Sequence, residues 1–112
     1  MKVVISLGSN KNRTENIGIA EKELSGFFSA IRFSCTRYTG GGYCNAVGVG
    51  DTSLPYATLR ENFKRLEQRL GRTEDRKCIP IDIDILEYGG HCHKPEDIAR
   101  GYNVELMKEL GL

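Results

Sequence analysis

An α+β fold is predicted, ordered strand, helix, strand, strand, helix, strand, with a short helix at the C-terminus. Three observations carry this prediction. Apolar residues recur at helical spacing around 17–24 and 59–70. The intervening stretches alternate with a period of two, most clearly in Ile81-Asp82-Ile83-Asp84-Ile85. Glycines punctuate the boundaries, at Gly8, Gly26, Gly40-Gly41-Gly42, Gly71 and Gly89-Gly90. The order is the βαββαβ of a ferredoxin-like domain, an antiparallel sheet with helices on one face.

Residues 3–7 form an apolar run ending at Gly8-Ser9-Asn10, which predicts a buried strand and a turn. Thr14 is the expected N-cap of the first helix. Ile17, Ala20, Glu21 and Leu24 share a face, and Gly26 stops the helix. Residues 28–38 carry Phe, Ile, Cys and Tyr in loose alternation and read as one strand. The triple glycine is a hinge, and residues 43–49 follow as a strand able to pair antiparallel with the previous one. Residues 51–55 have turn and capping character. The second helix is expected over 56–70, with Leu59, Phe63, Leu66 and Leu70 as its stripe and Gly71 at C′. A charged loop over 73–78 leads to the aspartate-bearing strand over 79–88. The last helix is expected over 104–110.

With 112 residues the chain, 1–112, is expected to be one domain with a modest core. Sixteen basic residues against fifteen acidic ones give a net charge of +1, which supplies neither a nucleic-acid tract nor a polybasic membrane anchor. No apolar run spans a bilayer, and Met1-Lys2 passes directly into a strand, so no export signal is expected. Cys35, Cys44, Cys78 and Cys92 form no C-x-x-C pair. Free thiols in the cytoplasm are the corresponding expectation. His91-Cys92-His93 lacks zinc-site spacing. The oligomeric state is left open.

Asp82 and Asp84 fall on one strand face, opposite the isoleucines. Paired carboxylates repel each other unless a hard cation lies between them, and Mg²⁺ prefers such oxygen ligands together with phosphate. The plain structural alternative is a half-buried strand with an acidic outer face.

Several segments together resemble the 6-hydroxymethyl-7,8-dihydropterin pyrophosphokinase family of folate biosynthesis. They are Ser6-Leu7-Gly8-Ser9-Asn10, Tyr43-Cys44-Asn45-Ala46-Val47, Leu66-Glu67-Gln68-Arg69-Leu70-Gly71-Arg72, and Ile81-Asp82-Ile83-Asp84-Ile85-Leu86 with Tyr88-Gly89. His93 and Arg100-Gly101-Tyr102 complete the set in the family's order. The resemblance implies transfer of pyrophosphate from ATP to the pterin hydroxymethyl oxygen, with AMP leaving. It implies that Asp82 and Asp84 hold two Mg²⁺ ions, with Arg72 as a catalytic cation. Glu67, Arg72, His93 and Arg100 are implied on the nucleotide. Tyr43, Asn45 and Tyr102 are implied on the pterin, where an amide offers both donor and acceptor. An arginine fork suits phosphate oxygens. Each residue also has a structural reading: Asn45 as a backbone partner, the tyrosines as packing rings, Glu67 and Arg72 as a solvated helix end, His93 as a loop residue.

The chain departs from the family pattern in three places. Only Thr39-Gly40-Gly41-Gly42 stands where the family has a longer loop. Lys77-Cys78-Ile79-Pro80 replaces a Trp and a Pro-Arg, in a chain without Trp. Arg76 and Lys77 are the cations nearest in sequence to the missing arginine. The segment from Gly90 to His93 is also short. Two further readings follow from these departures: a non-catalytic ferredoxin-like module binding nucleotide or pterin, and an interaction domain without a small-molecule site.

Overall fold

The computed structural model describes residues 1–112. Its strands are β1 (Lys2–Ser9), β2 (Ala30–Phe33), β3 (Arg37–Gly40), β4 (Tyr43–Asp51), β5 (Asp82–Tyr88) and β6 (His91–Cys92). Its helices are α1 (Arg13–Leu24), α2 (Tyr56–Arg69), α3 (Pro95–Ile98) and α4 (Gly101–Glu109). The sheet runs β2-β4-β1-β5-β6, with β3 also on β4, and every pairing is antiparallel. This is the predicted ferredoxin-like α+β arrangement.

The expected strand over 28–38 is two strands, and Ser34 explains the break. Its N–H donates to Val47 O, while its Oγ accepts the Val47 N–H at 2.9 Å. A side chain thus replaces backbone in the ladder, and the register on β4 slips by one between Phe33↔Gly48 and Arg37↔Asn45. Asn12, in left-handed conformation at φ 45°, precedes α1, so Thr14 lies inside the first turn and is not the cap.

Period two sorts β5 cleanly. Ile81, Ile83 and Ile85 join the main core with Ile17, Leu24 and the α2 stripe, so α1 and α2 share one face. Each fully buried aliphatic or phenyl side chain contributes about 1.5–3 kcal/mol. The pairing of β1 with β5 shifts after Ile85. That change of phase returns Tyr88 to the main core, where it meets Tyr56 edge-on and donates to Leu54 O at 2.8 Å.

The other sheet face is only partly open. Leu106 and Leu110 of α4 pack on Val4, Val47 and Leu86 there. Arg32 fastens the end of α4 by donating to Leu110 O at 2.7 Å. One half of this face is therefore core, and the other half holds polar side chains. No helix is long and apolar enough to cross a membrane.

Candidate active site

Strand register assembles the polar half of that face. Gly8 of β1 stands opposite Asn45 of β4 and Asp82 of β5, and Ser6 stands opposite Val47 and Asp84. Directly opposed residues share a sheet face. Asn45, Asp82 and Asp84 therefore converge with no reference to helix chemistry. Gly8 is needed at the centre, because a Cβ there would sit 2.9 Å from Asn45 Oδ1. Asn45 Nδ2 is held by the Thr39 hydroxyl.

A cleft of about 480 Å³ opens over these residues. Tyr43 and Gly40–Gly41 form its wall on the β3–β4 side, and Asp97, Arg100, Tyr102 and Asn103 form the opposite wall. That volume lies in the range of small-molecule sites, roughly 300–1,000 Å³. Among the sequence-predicted residues it brings together Tyr43, Asn45, Asp82, Asp84, Arg100 and Tyr102.

Arg72 does not line the cleft and touches it only through Asp82. Gly71, at φ +101°, ends α2 in a Schellman turn: Arg72 N–H donates to Glu67 O and Gly71 N–H to Gln68 O. The turn sends the Arg72 guanidinium back onto β5, where Nη1 donates to Ile81 O at 3.1 Å and Asp82 Oδ1 at 3.3 Å. Glu67 does not enter the cleft. Its side chain is 4 % exposed, and its Oε2 accepts the Ile83 N–H at 2.8 Å. Burial pushes the Glu67 carboxyl above the usual range, while the Ile83 N–H and Lys64 oppose that shift. His93 also lies outside the cleft lining, stacked on Tyr56 with ring centroids 4.3 Å apart. Arg76 and Lys77 line no part of the cleft.

Asp84 carries the strongest electrostatic signature. Burial raises its carboxyl to about 7, with the neighbouring Asp82 carboxyl adding to the effect and Lys94 opposing it. A carboxyl held up by burial beside a second carboxylate forms part of a donor set suited to a hard divalent cation, which replaces the proton with a stronger charge partner. No group of three or more His, Cys, Asp or Glu converges on one point, and His91, Cys92 and His93 are exposed. Further oxygen ligands at the aspartate pair would come from substrate or water.

Sequence reasoning missed Ser6, Asp97 and Asn103. Asn103 is 2 % exposed, its Nδ2 donates to Asp97 O at 2.8 Å, and its Oδ1 is the buried side-chain polar atom left without a partner. Asp97 Oδ1 in turn accepts from Arg100 Nε at 3.2 Å, which orients that guanidinium at the cleft. The signal available in sequence was the Asp97-x-x-Arg100 spacing of one helical turn.

Residues 4–110 match the family described as 7,8-dihydro-6-hydroxymethylpterin-pyrophosphokinase (HPPK). The chain is also similar to proteins named folate synthesis bifunctional protein. It is 39% identical to that of Chlamydia caviae over 61 residues, covering 50% of this chain and 13% of the relative. It is 34% identical to that of Arabidopsis thaliana over 102 residues, covering 80% of this chain and 21% of the relative. The matched part is thus about a fifth or less of the length of these relatives.

Proposed function

Since this chain belongs to the 7,8-dihydro-6-hydroxymethylpterin-pyrophosphokinase family, we propose that it moves the pyrophosphoryl group of ATP onto 6-hydroxymethyl-7,8-dihydropterin. The hydroxymethyl oxygen attacks the β-phosphorus, the bond from that phosphorus to the α,β-bridging oxygen breaks, AMP leaves, and the hydroxyl proton is released. The observation that carries this reading is the aspartate pair lying in one cleft with Asn45, two tyrosine rings and Arg100.

Phosphoryl transfer asks a protein mainly for positioning and charge neutralisation. Asp82 and Asp84 would hold two Mg²⁺ ions, which when bound neutralise phosphate charge and lower the pKa of the attacking hydroxyl. Tyr43 and Tyr102 offer ring faces to a flat heterocycle. Asn45 trades its Thr39 partner for the polar edge of the pterin. Arg72 and Arg100 present their guanidinium groups to the polyphosphate, and Arg72 at the same time orients Asp82. The chain works as a single domain on these two small molecules. Its four free cysteines fit a reducing cytoplasm.

AMP release from Mg-ATP by the 112-residue chain tests this reading, with and without the pterin. Pterin-dependent AMP that disappears in Asp82→Ala is the expected result. An absence of AMP at high protein concentration overturns it. Gly8→Ala provides a local check. The intruding Cβ is too close only to the end of the Asn45 side chain, with Tyr43 Cδ1 at an ordinary 3.8 Å, so unfolding should shift by less than about 1 kcal/mol, while pterin binding weakens about tenfold or more as the amide is displaced. Pterin affinity equal to wild type in that variant would remove Asn45 from the pterin site.

A binding module without turnover is the second reading. It is favoured by the position of Arg76 and Lys77 outside the cleft, which leaves no basic residue from that loop at the phosphates.

A further inference from the structure

One further cation stands beside Asp84 without lining the cleft. Lys94 lies between β6 and α3, and its Nζ is 3.6 Å from Asp84 Oδ1. It approaches from outside the sheet, on the side of β5 away from β1. Beyond β5 only Glu87 and Tyr88 are paired with β6, so the edge at Ile83–Ile85 has no strand neighbour.

The backbone around Lys94 is fixed by the strand that carries Asp84. The N–H groups of His93 and Lys94 both donate to Leu86 O, at 2.8 and 3.4 Å. His93 stacks on Tyr56, and Pro95 begins α3 immediately afterwards. Arg60 and Lys64 of α2 line the same narrow notch as Lys94 and Asp84, which brings three cations to one edge of β5. Among them Lys64 also faces Glu67 at 3.7 Å, whereas Lys94 faces Asp84.

We propose that Lys94 is the phosphate-directed cation of this chain, standing on the outer side of Asp84 where it meets the polyphosphate of the bound nucleotide. This inference rests on the pyrophosphokinase reading. Without ligand, Lys94 pairs with Asp84. With a metal ion held by Asp84, Lys94 would be free to offer its ammonium to a phosphate oxygen. An ammonium acts there as a point charge and needs no bidentate geometry, which suits a half-exposed side chain on a short loop.

The competing explanation is an ordinary surface ion pair, and three proteins separate the two. Wild type, Lys94→Met and Lys94→Arg are compared for Mg²⁺ binding alone, for Mg-ATP binding, and for single-turnover AMP release. Lys94→Met should bind Mg²⁺ at least as tightly as wild type, because a competitor for Asp84 is gone. It should lose about tenfold in Mg-ATP affinity, or about 10–100-fold in AMP release, the range expected for one charge-assisted phosphate contact. Lys94→Arg should restore most of the loss. Wild-type Mg-ATP affinity and AMP release in Lys94→Met overturn the proposal. So does a parallel loss of affinity for Mg²⁺ alone, which would make Lys94 a structural support of Asp84. Wild-type protein that forms no AMP while binding Mg-ATP through Lys94 upholds the cation and overturns the transferase. Wild-type protein that binds no Mg-ATP overturns both.

Discussion

Replacing Asp84 by Asn is expected to lower pyrophosphoryl transfer by roughly a thousandfold or more, and at the same time to stabilise the ligand-free protein. The two effects share one cause. Asp84 is largely buried beside Asp82, and its carboxyl is held at about 7 against an ordinary value of 3.8. The folded chain therefore binds a proton more tightly than the unfolded chain between about pH 4 and 7. Stability falls as pH rises through that window, because the unfolded chain has already released its proton at no cost. Asparagine carries no charge and escapes this cost. The gain at pH 7.5 should be about 1–2 kcal/mol, after discounting for Lys94, for relaxation and for the remaining solvent access. The gain should shrink towards zero near pH 4. Thermal unfolding of both proteins across that range measures the effect. A midpoint difference that does not change with pH would remove the raised Asp84 carboxyl from the account. In the wild type, Mg²⁺ binding near pH 6 should release protons, which calorimetry in two buffers of different ionisation enthalpy reads directly. Asp82→Asn should also abolish transfer; its amide oxygen can still accept from Arg72 Nη1, which lies 3.3 Å from Asp82 Oδ1, but the charge of the ion pair is lost.

The readable part of the chain was whatever local periodicity controls. The alternation in residues 81–85 put three isoleucines into the core and left both aspartates on the opposite face, because a strand has no other way to place them. The α2 stripe and Gly71 were legible for the same reason, and the Schellman turn they create also aims Arg72. Register supplied what periodicity could not. That Gly8 lies between Asn45 and Asp82 depends on two pairings set by residues far apart in the chain. The break at Ser34 turns on one hydroxyl entering a ladder, and strand propensity carries no trace of it. The face chosen by α4 follows from which side of the sheet still had Val4, Val47 and Leu86 uncovered. Lys94 belongs to a connection without periodicity, and Asn103 to the first turn of α4, ahead of the helix start expected at 104, so their nearness to Asp84 and the cleft emerged only from the fold.

Glu67→Ala should destabilise the fold more than any of the other substitutions, by about 3–4 kcal/mol. The motif that contains Glu67 suggests a nucleotide ligand. In the structure its carboxylate has a backbone partner, the Ile83 N–H, one residue from each aspartate. Alanine leaves that N–H buried without an acceptor and opens a cavity between α2 and β5. It also removes one anion from Arg72, whose Nη1 lies 3.7 Å from Glu67 Oε2. At roughly 4–8 °C per kcal/mol for a chain of this size, the unfolding midpoint should fall by more than about 10 °C. Glu67→Gln separates the structural from the ligand role. Its amide oxygen still accepts from Ile83, and it avoids the penalty for burying a charge, which raises the Glu67 carboxyl above its usual range. That penalty in the wild type grows as pH rises past the ordinary carboxylate value. The glutamine variant should therefore hold its stability within about 1 kcal/mol and gain on wild type as pH increases. If Glu67 acts by fixing β5, glutamine should also keep Mg-ATP affinity close to wild type. A folded Glu67→Ala with an unchanged midpoint, or a Glu67→Gln that folds normally but loses Mg-ATP, would return Glu67 to the nucleotide. The structural role would tie the position of both aspartates to a helix carboxylate outside the cleft lining, and would place the tolerance of the site at Glu67 in shape and hydrogen-bonding capacity rather than in charge.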